Sequence, residues 1–124
     1  MFEQDYILRL VREAARLIAK LVFNIDTPML FDALGRDLND PETLNRLLRL
    51  IDSGEINEAE NHLYLLTEEA DPEGLRIALL FYLHLNEKSD QFLKEHNYSR
   101  DEVLQGLNDI AGQYGLSDIT GTFK

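Results

Sequence analysis

The stretch DPEGLRIALLFYLHLN, residues 71–86, decides the fold class. Asp71 followed by Pro72 is a helix start. The carboxylate accepts from the free N–H groups of the first turn, and proline has no N–H to leave unpaired. On a helical wheel Leu75, Ala78, Leu79, Tyr82 and Leu83 fall on one side, and Ile77, Leu80, Phe81 and Leu85 on the other. A helix that is apolar nearly all round has to be enclosed by other elements. Residues 72–86 are therefore predicted to be the central helix of an all-α fold.

The same grammar extends outward. Asp40 and Pro41 open a helix with Leu44, Leu47, Leu48 and Ile51 on one face, and Gly54 stops it. A tight turn leads to a helix opened by Asn57 or a neighbour, with Ile56, Ala59, Leu63 and Leu66 turned inward. Beyond the central helix, Ser89 caps a short helix ending near Asn97. Ser99-Arg100-Asp101-Glu102 forms a capping box before the stripe Val103, Leu107, Ile110 and Tyr114. Upstream, Ile7, Leu10, Val11, Ala14, Leu17, Ile18 and Leu21 repeat at helical spacing over residues 5–23. Between them Thr27-Pro28 starts a short helix over 28–34, with Gly35 just past its end. The reading is stacked antiparallel helical hairpins, six or seven helices joined by short connectors. It places a single helical domain over 1–124, with an N-terminal helix at 5–23 and a loose tail at 116–124.

Composition narrows the function classes. The 124-residue chain holds no cysteine and has a net charge of −11. Thiolate chemistry and disulfides are excluded. Nonspecific nucleic-acid binding, which depends on neutralising phosphates with Lys and Arg, is disfavoured. Glu3, Asp5, Arg9 and Arg12 do not suit a secretory signal, and no apolar run approaches a bilayer span. A cytoplasmic location is expected.

No catalytic set emerges, and neither a metal nor a cofactor is expected. His62, His84 and His96 are too far apart in sequence for a helical zinc motif. His84 is read as a core or core-edge residue, and His62 and His96 as surface residues. Glu58 and His62 share a helix face, but such a pair arises easily by chance. Asp37-Leu38-Asn39-Asp40 has a calcium-loop flavour that Pro41 and Leu48 spoil. Glu68, Glu69, Asp71 and Glu73 read as a solvated cluster, the last two suited to a helix N-terminus.

Residues 41–72 resemble one tetratricopeptide-type hairpin, with Gly54, Ala59 and Pro72 near the expected places. Leu47 replaces the small residue of the first helix, and the proline falls one position late. The chain as a whole resembles a family of small proteins from low-GC Gram-positive bacteria. The shared runs are Met1 to Ile7, Leu21 to Asp26, "INEAEN" at Ile56 to Asn61, "ALLFY" at Ala78 to Tyr82, and "YGL" at Tyr114 to Leu116. That resemblance implies a cytoplasmic helical protein and carries no activity.

The N-terminal helix asks for explanation. Arg9, Arg12, Glu13, Arg16 and Lys20 occupy a polar strip about 100° wide, while apolar residues span about 200°. A helix lying on a domain needs only a stripe of about 100° or slightly more. If Ile7, Leu10, Leu17 and Leu21 face the core, then Leu8, Val11, Ala15 and Val22 need a second cover. Other helices of the same chain are the simplest cover. A protein partner or a second copy comes next, since Ile7, Val11, Ala14, Ile18 and Leu21 follow helix-pair spacing. A membrane surface ranks last. The cations Arg12, Arg16 and Lys20 are successive like-signed neighbours that acids from elsewhere would relieve. The expectation is a protein-interaction module, a homodimer through the N-terminal helix, with no enzymatic activity. The alternative is a small-ligand binder or enzyme with a site between helices.

Overall fold

The computed structural model describes residues 2–116. It contains seven helices and, among these residues, no strand. In chain order they are α1 (Phe2–Phe23), α2 (Leu30–Gly35), α3 (Pro41–Asp52), α4 (Ile56–Thr67), α5 (Pro72–Asn86), α6 (Asp90–Glu95) and α7 (Arg100–Gln113). The expected tail, past Leu116, lies outside the described residues.

Four helices begin as their sequences dictate. Asp40 accepts from the Thr43 N–H, Asp71 from Gly74, Ser89 from Phe92 and Ser99 from Glu102. Each cap satisfies one of the orphan donors of a first turn. At the other ends, Asn24 and Asn97 stop α1 and α6 in the left-handed region, at φ 56° for both. Gly54 does so at φ 87°, between α3 and α4. A side chain there would also meet the His96 ring, which lies over it.

Helix α5 is the hub. Its main packing partners are α1, α2, α3, α4 and α7. Leu75, Ile77, Ala78, Leu79, Leu80, Phe81, Tyr82 and Leu85 are all buried. Gly106 of α7 makes room for the Tyr82 ring, because a Cβ at that position would come within 2.5 Å of the hydroxyl oxygen.

Three boundaries differ from the sequence reading. Helix α1 starts at Phe2 rather than residue 5. Helix α2 starts at Leu30 rather than Pro28, because Thr27 turns back to accept from the Met29 N–H at 3.2 Å. Gly35 accordingly lies inside α2 and not beyond it.

Buried polar groups tie the α5 exit to its neighbours. Asn86 donates through Nδ2 to the Leu8 carbonyl at 3.0 Å. Arg100, 2% exposed, donates to the carbonyls of Asn86 and Lys88 and to Asp90 Oδ1. The guanidinium thus fills the carbonyl end of α5, where the negative pole of the helix dipole favours a positive charge.

Candidate functional site

Helix α1 packs between α5 and α7. Its cationic strip turns toward the C-terminal half of α5. Arg12 donates through Nε and Nη2 to both carboxylate oxygens of Glu87, with the shortest contact at 2.8 Å. Lys20 reaches Asp26 at 3.6 Å. Arg16, between them, makes no ion pair among the described residues.

Beside this strip lies an open cleft of about 450 Å³. One wall is Arg12 and Arg16 of α1, and another is Leu83, His84 and Glu87 of α5. Pro28, Leu30 and Phe31, from the connector and the start of α2, close the third side. The cleft exists because the chain leaves α1 at Asn24, passes Lys20 through Asp26, and turns at Thr27-Pro28 to lay α2 on α5. Its size falls within the range of small-ligand pockets.

His84 is pinned from behind. Its Nε2 lies 2.7 Å from Asp52 Oδ1, and Lys88 Nζ donates to the same oxygen at 2.6 Å. Burial pushes the Asp52 carboxyl up, but the hydrogen bonds from Lys88 and His84 outweigh it and hold the group below its ordinary value. The Asp52 carboxylate links the end of α3 to the end of α5 and fixes the imidazole at the cleft wall.

A family model described as a family of unknown function, DUF6483, matches residues 1–115. The chain belongs to that family. No curated protein and no solved structure gives a significant match. Membership in DUF6483 names no activity, so the functional reading rests on geometry.

That geometry redistributes the residues singled out on α1. Arg12 and Arg16 stand at the cleft, and Lys20 lies along the same strip. Val11 and Ala15, expected on a docking face, are 0% and 1% exposed and belong to the chain's own core. Leu8 is half-buried, and only Val22, at 42%, stands open. The reading that put Leu10, Leu17 and Leu21 toward the core had the helix turned the wrong way. Ala14, Ala15 and Ala19 are fully buried beside Val11 and Ile18. Small side chains let α1 approach α5 and α7 closely, so the alanine-bearing side faces inward. Leu10 and Leu17 are left half-buried, and Tyr6 and Leu21 are each 58% exposed. The alanine cluster was the signal available in the sequence. Pro28, Leu30 and Phe31 carried no such signal, because their role depends on where the connector turns.

The histidines divide differently from expectation. His62 is exposed, as read. His84 sits at the core edge, facing the cleft. His96, expected at the surface, is half-buried against Phe92, with ring centroids 4.4 Å apart.

A second polar cluster lies on the far side of α5. The Tyr82 hydroxyl donates to Glu60 Oε2 at 2.7 Å. Burial first, and then the Glu60 charge, push the Tyr82 and Tyr98 phenols far above their ordinary value. The Tyr82–Glu60 bond fixes α4 against α5, while the Tyr98 hydroxyl donates to the Glu102 carbonyl of α7. Of the acids at 68–73, Asp71 caps α5, and Glu73 accepts from the Asn39 and Asp40 N–H groups at 2.7 and 2.9 Å.

Proposed function

We propose that this protein is an interaction module that pairs with a second copy of itself through the outer side of α1. The observation that carries this is the stripe Tyr6, Leu10, Leu17 and Leu21, which the chain's own helices leave bare or half-covered. Its spacing reads the same in both directions. An antiparallel two-fold arrangement pairs Tyr6 with the partner's Leu21 and Leu10 with the partner's Leu17. A two-fold interface demands this self-complementarity, because one patch has to match itself.

The rest of the molecule serves as scaffold in this reading. The α3–α4 hairpin, with its tetratricopeptide-like Gly54 and Ala59, backs α5, and α5 holds α1 in place. No helix of the described residues is long and apolar enough to cross a membrane. The stripe is narrow compared with the area of a stable interface, so the pairing is weak and reversible. In the proposed register Glu13 lies near the two-fold axis and opposes its own copy. That repulsion limits affinity further.

Sedimentation across a range of concentrations tests the reading. A mass rising toward twice that of one chain at high micromolar concentration supports it, provided that Leu17→Glu abolishes the rise without changing the helical circular dichroism. Glu13→Ala then strengthens pairing. A constant monomer mass overturns the proposal, and so does association that Leu17→Glu leaves intact. Val11 is unsuitable for this test, because a charge there disrupts the core rather than a docking face.

A further inference from the structure

The cleft beside α1 is a different surface from the stripe. Arg12 and Arg16 stand roughly 100–160° around the helix from Leu10 and Leu17 at the usual advance per residue. We infer that this cleft binds a small amphipathic monocarboxylate, a molecule with one carboxylate and a compact apolar body.

Two features specify that chemistry. The first is the apolar lining. Pro28, Leu30, Phe31 and Leu83 present hydrocarbon and an aromatic ring, and Phe31 is 39% exposed. The cavity, about 450 Å³, admits a small molecule. The second is charge. In a chain of net charge −11, this wall carries the cations Arg12 and Arg16 against the single carboxylate of Glu87, with the His84 imidazole beside them. Arg12 is occupied by Glu87, and His84 by Asp52. Arg16 is the cation of the cleft that makes no ion pair among the described residues. Its planar fork suits a carboxylate, which it engages with two parallel N–H donors.

Charge complementarity also sets the limit at one negative charge. Glu87 stands in the cleft wall itself, so a dianion gains one open guanidinium while its second charge meets a resident carboxylate. A monocarboxylate matches Arg16 and leaves both resident pairs intact. The site is an open cleft with side-chain walls on three sides, and its small volume, about 450 Å³, suits a compact molecule better than a long chain segment.

Titrating the full chain with octanoate, followed by amide NMR, tests the inference. Saturable shifts confined to residues around 28–31 and 83–87 and to the middle of α1 are expected. Arg16→Gln weakens binding roughly tenfold or more, as loss of a charge-assisted pair implies. Arg16→Lys restores part of it, and Phe31→Ala weakens it independently. Both positions are solvent-facing, so the variants keep the fold, which circular dichroism verifies. Octanol binds more weakly than octanoate, and octyl phosphate binds no more tightly. Absence of saturable shifts to millimolar octanoate overturns the proposal, as do shifts elsewhere or equal binding of octanol. A short peptide ending in an apolar residue that outcompetes octanoate overturns it in favour of a peptide terminus. Leu17→Glu leaves octanoate binding unchanged, so this test and the test of self-association fail separately.

Discussion

Helices α5 and α1 both carry more apolar circumference than a surface helix needs, yet they end in opposite situations. Five helices pack on α5, and its apolar side chains apart from Leu83 are buried on both faces. Among the described residues only α5 and α7 pack substantially on α1, which keeps Val11, Ala14, Ala15, Ile18 and Ala19 inside and leaves Tyr6 and Leu21 open. The width of an apolar arc thus reports how much surface seeks cover. It does not report whether the chain itself supplies that cover.

The largest effect separating the two helices lies in core truncation. Leu80→Ala on α5 removes a fully buried side chain and costs about 2–5 kcal/mol in denaturant unfolding. The same change at half-buried Leu17 on α1 costs about 1 kcal/mol at concentrations where the chain is monomeric. Equal losses at the two positions would erase the distinction. Next comes the polar lock at the α5 exit. Arg100→Ala strands the Asn86 and Lys88 carbonyls and is expected to cost about 1–3 kcal/mol, measured the same way.

Alkaline titration sharpens the contrast further. Tyr82 and Tyr98 have folded pKa values raised above the ordinary 10.0. Their contribution is complete below pH 10 and declines above it, because the unfolded chain ionises while the folded chain does not. Ultraviolet titration should show both phenols silent until the protein unfolds, and Tyr82→Phe should flatten the alkaline loss of stability. The smallest effects belong to the exposed pairs around the cleft. Arg12→Ala breaks a pair whose side chains are 47% and 57% exposed, and under about 1 kcal/mol is expected. Asp52, with its folded pKa lowered, stabilises the protein above its ordinary value of 3.8 and loses that contribution as pH falls through the folded value. Asp52→Asn removes a few tenths of a kcal/mol of acid dependence, since the side chain is 52% exposed and solvent screens the interaction.

Much of the fold was legible because its signals are local. Asp40-Pro41 and Asp71-Pro72 mark helix starts by chemistry confined to one turn, and both helices begin at the predicted residue. Thr27-Pro28 misled for the same reason. It has the form of a start signal, but the threonine serves a turn and α2 begins two residues later. The site was half legible. Arg12, Arg16 and Lys20 stood out as a like-signed row needing acids, and two of them found Glu87 and Asp26. Phe31, Leu83 and the Asp52–His84 contact were invisible, since they join segments far apart in the chain.

By itself the sequence determined the all-helical class, the caps at Asp40, Asp71, Ser89 and Ser99, the central place of residues 72–86 and the surplus of apolar surface on α1, because each follows from periodicity or from one turn of backbone. Only the tertiary structure decided which way α1 faces, that Val11 and Ala15 belong to the core, and that a cleft opens beside Arg16. Those outcomes depend on how closely α5 and α7 approach the alanine side of α1. The alanines of α1 permit that closeness, but the side chains that complete it lie on α5 and α7, far away in sequence.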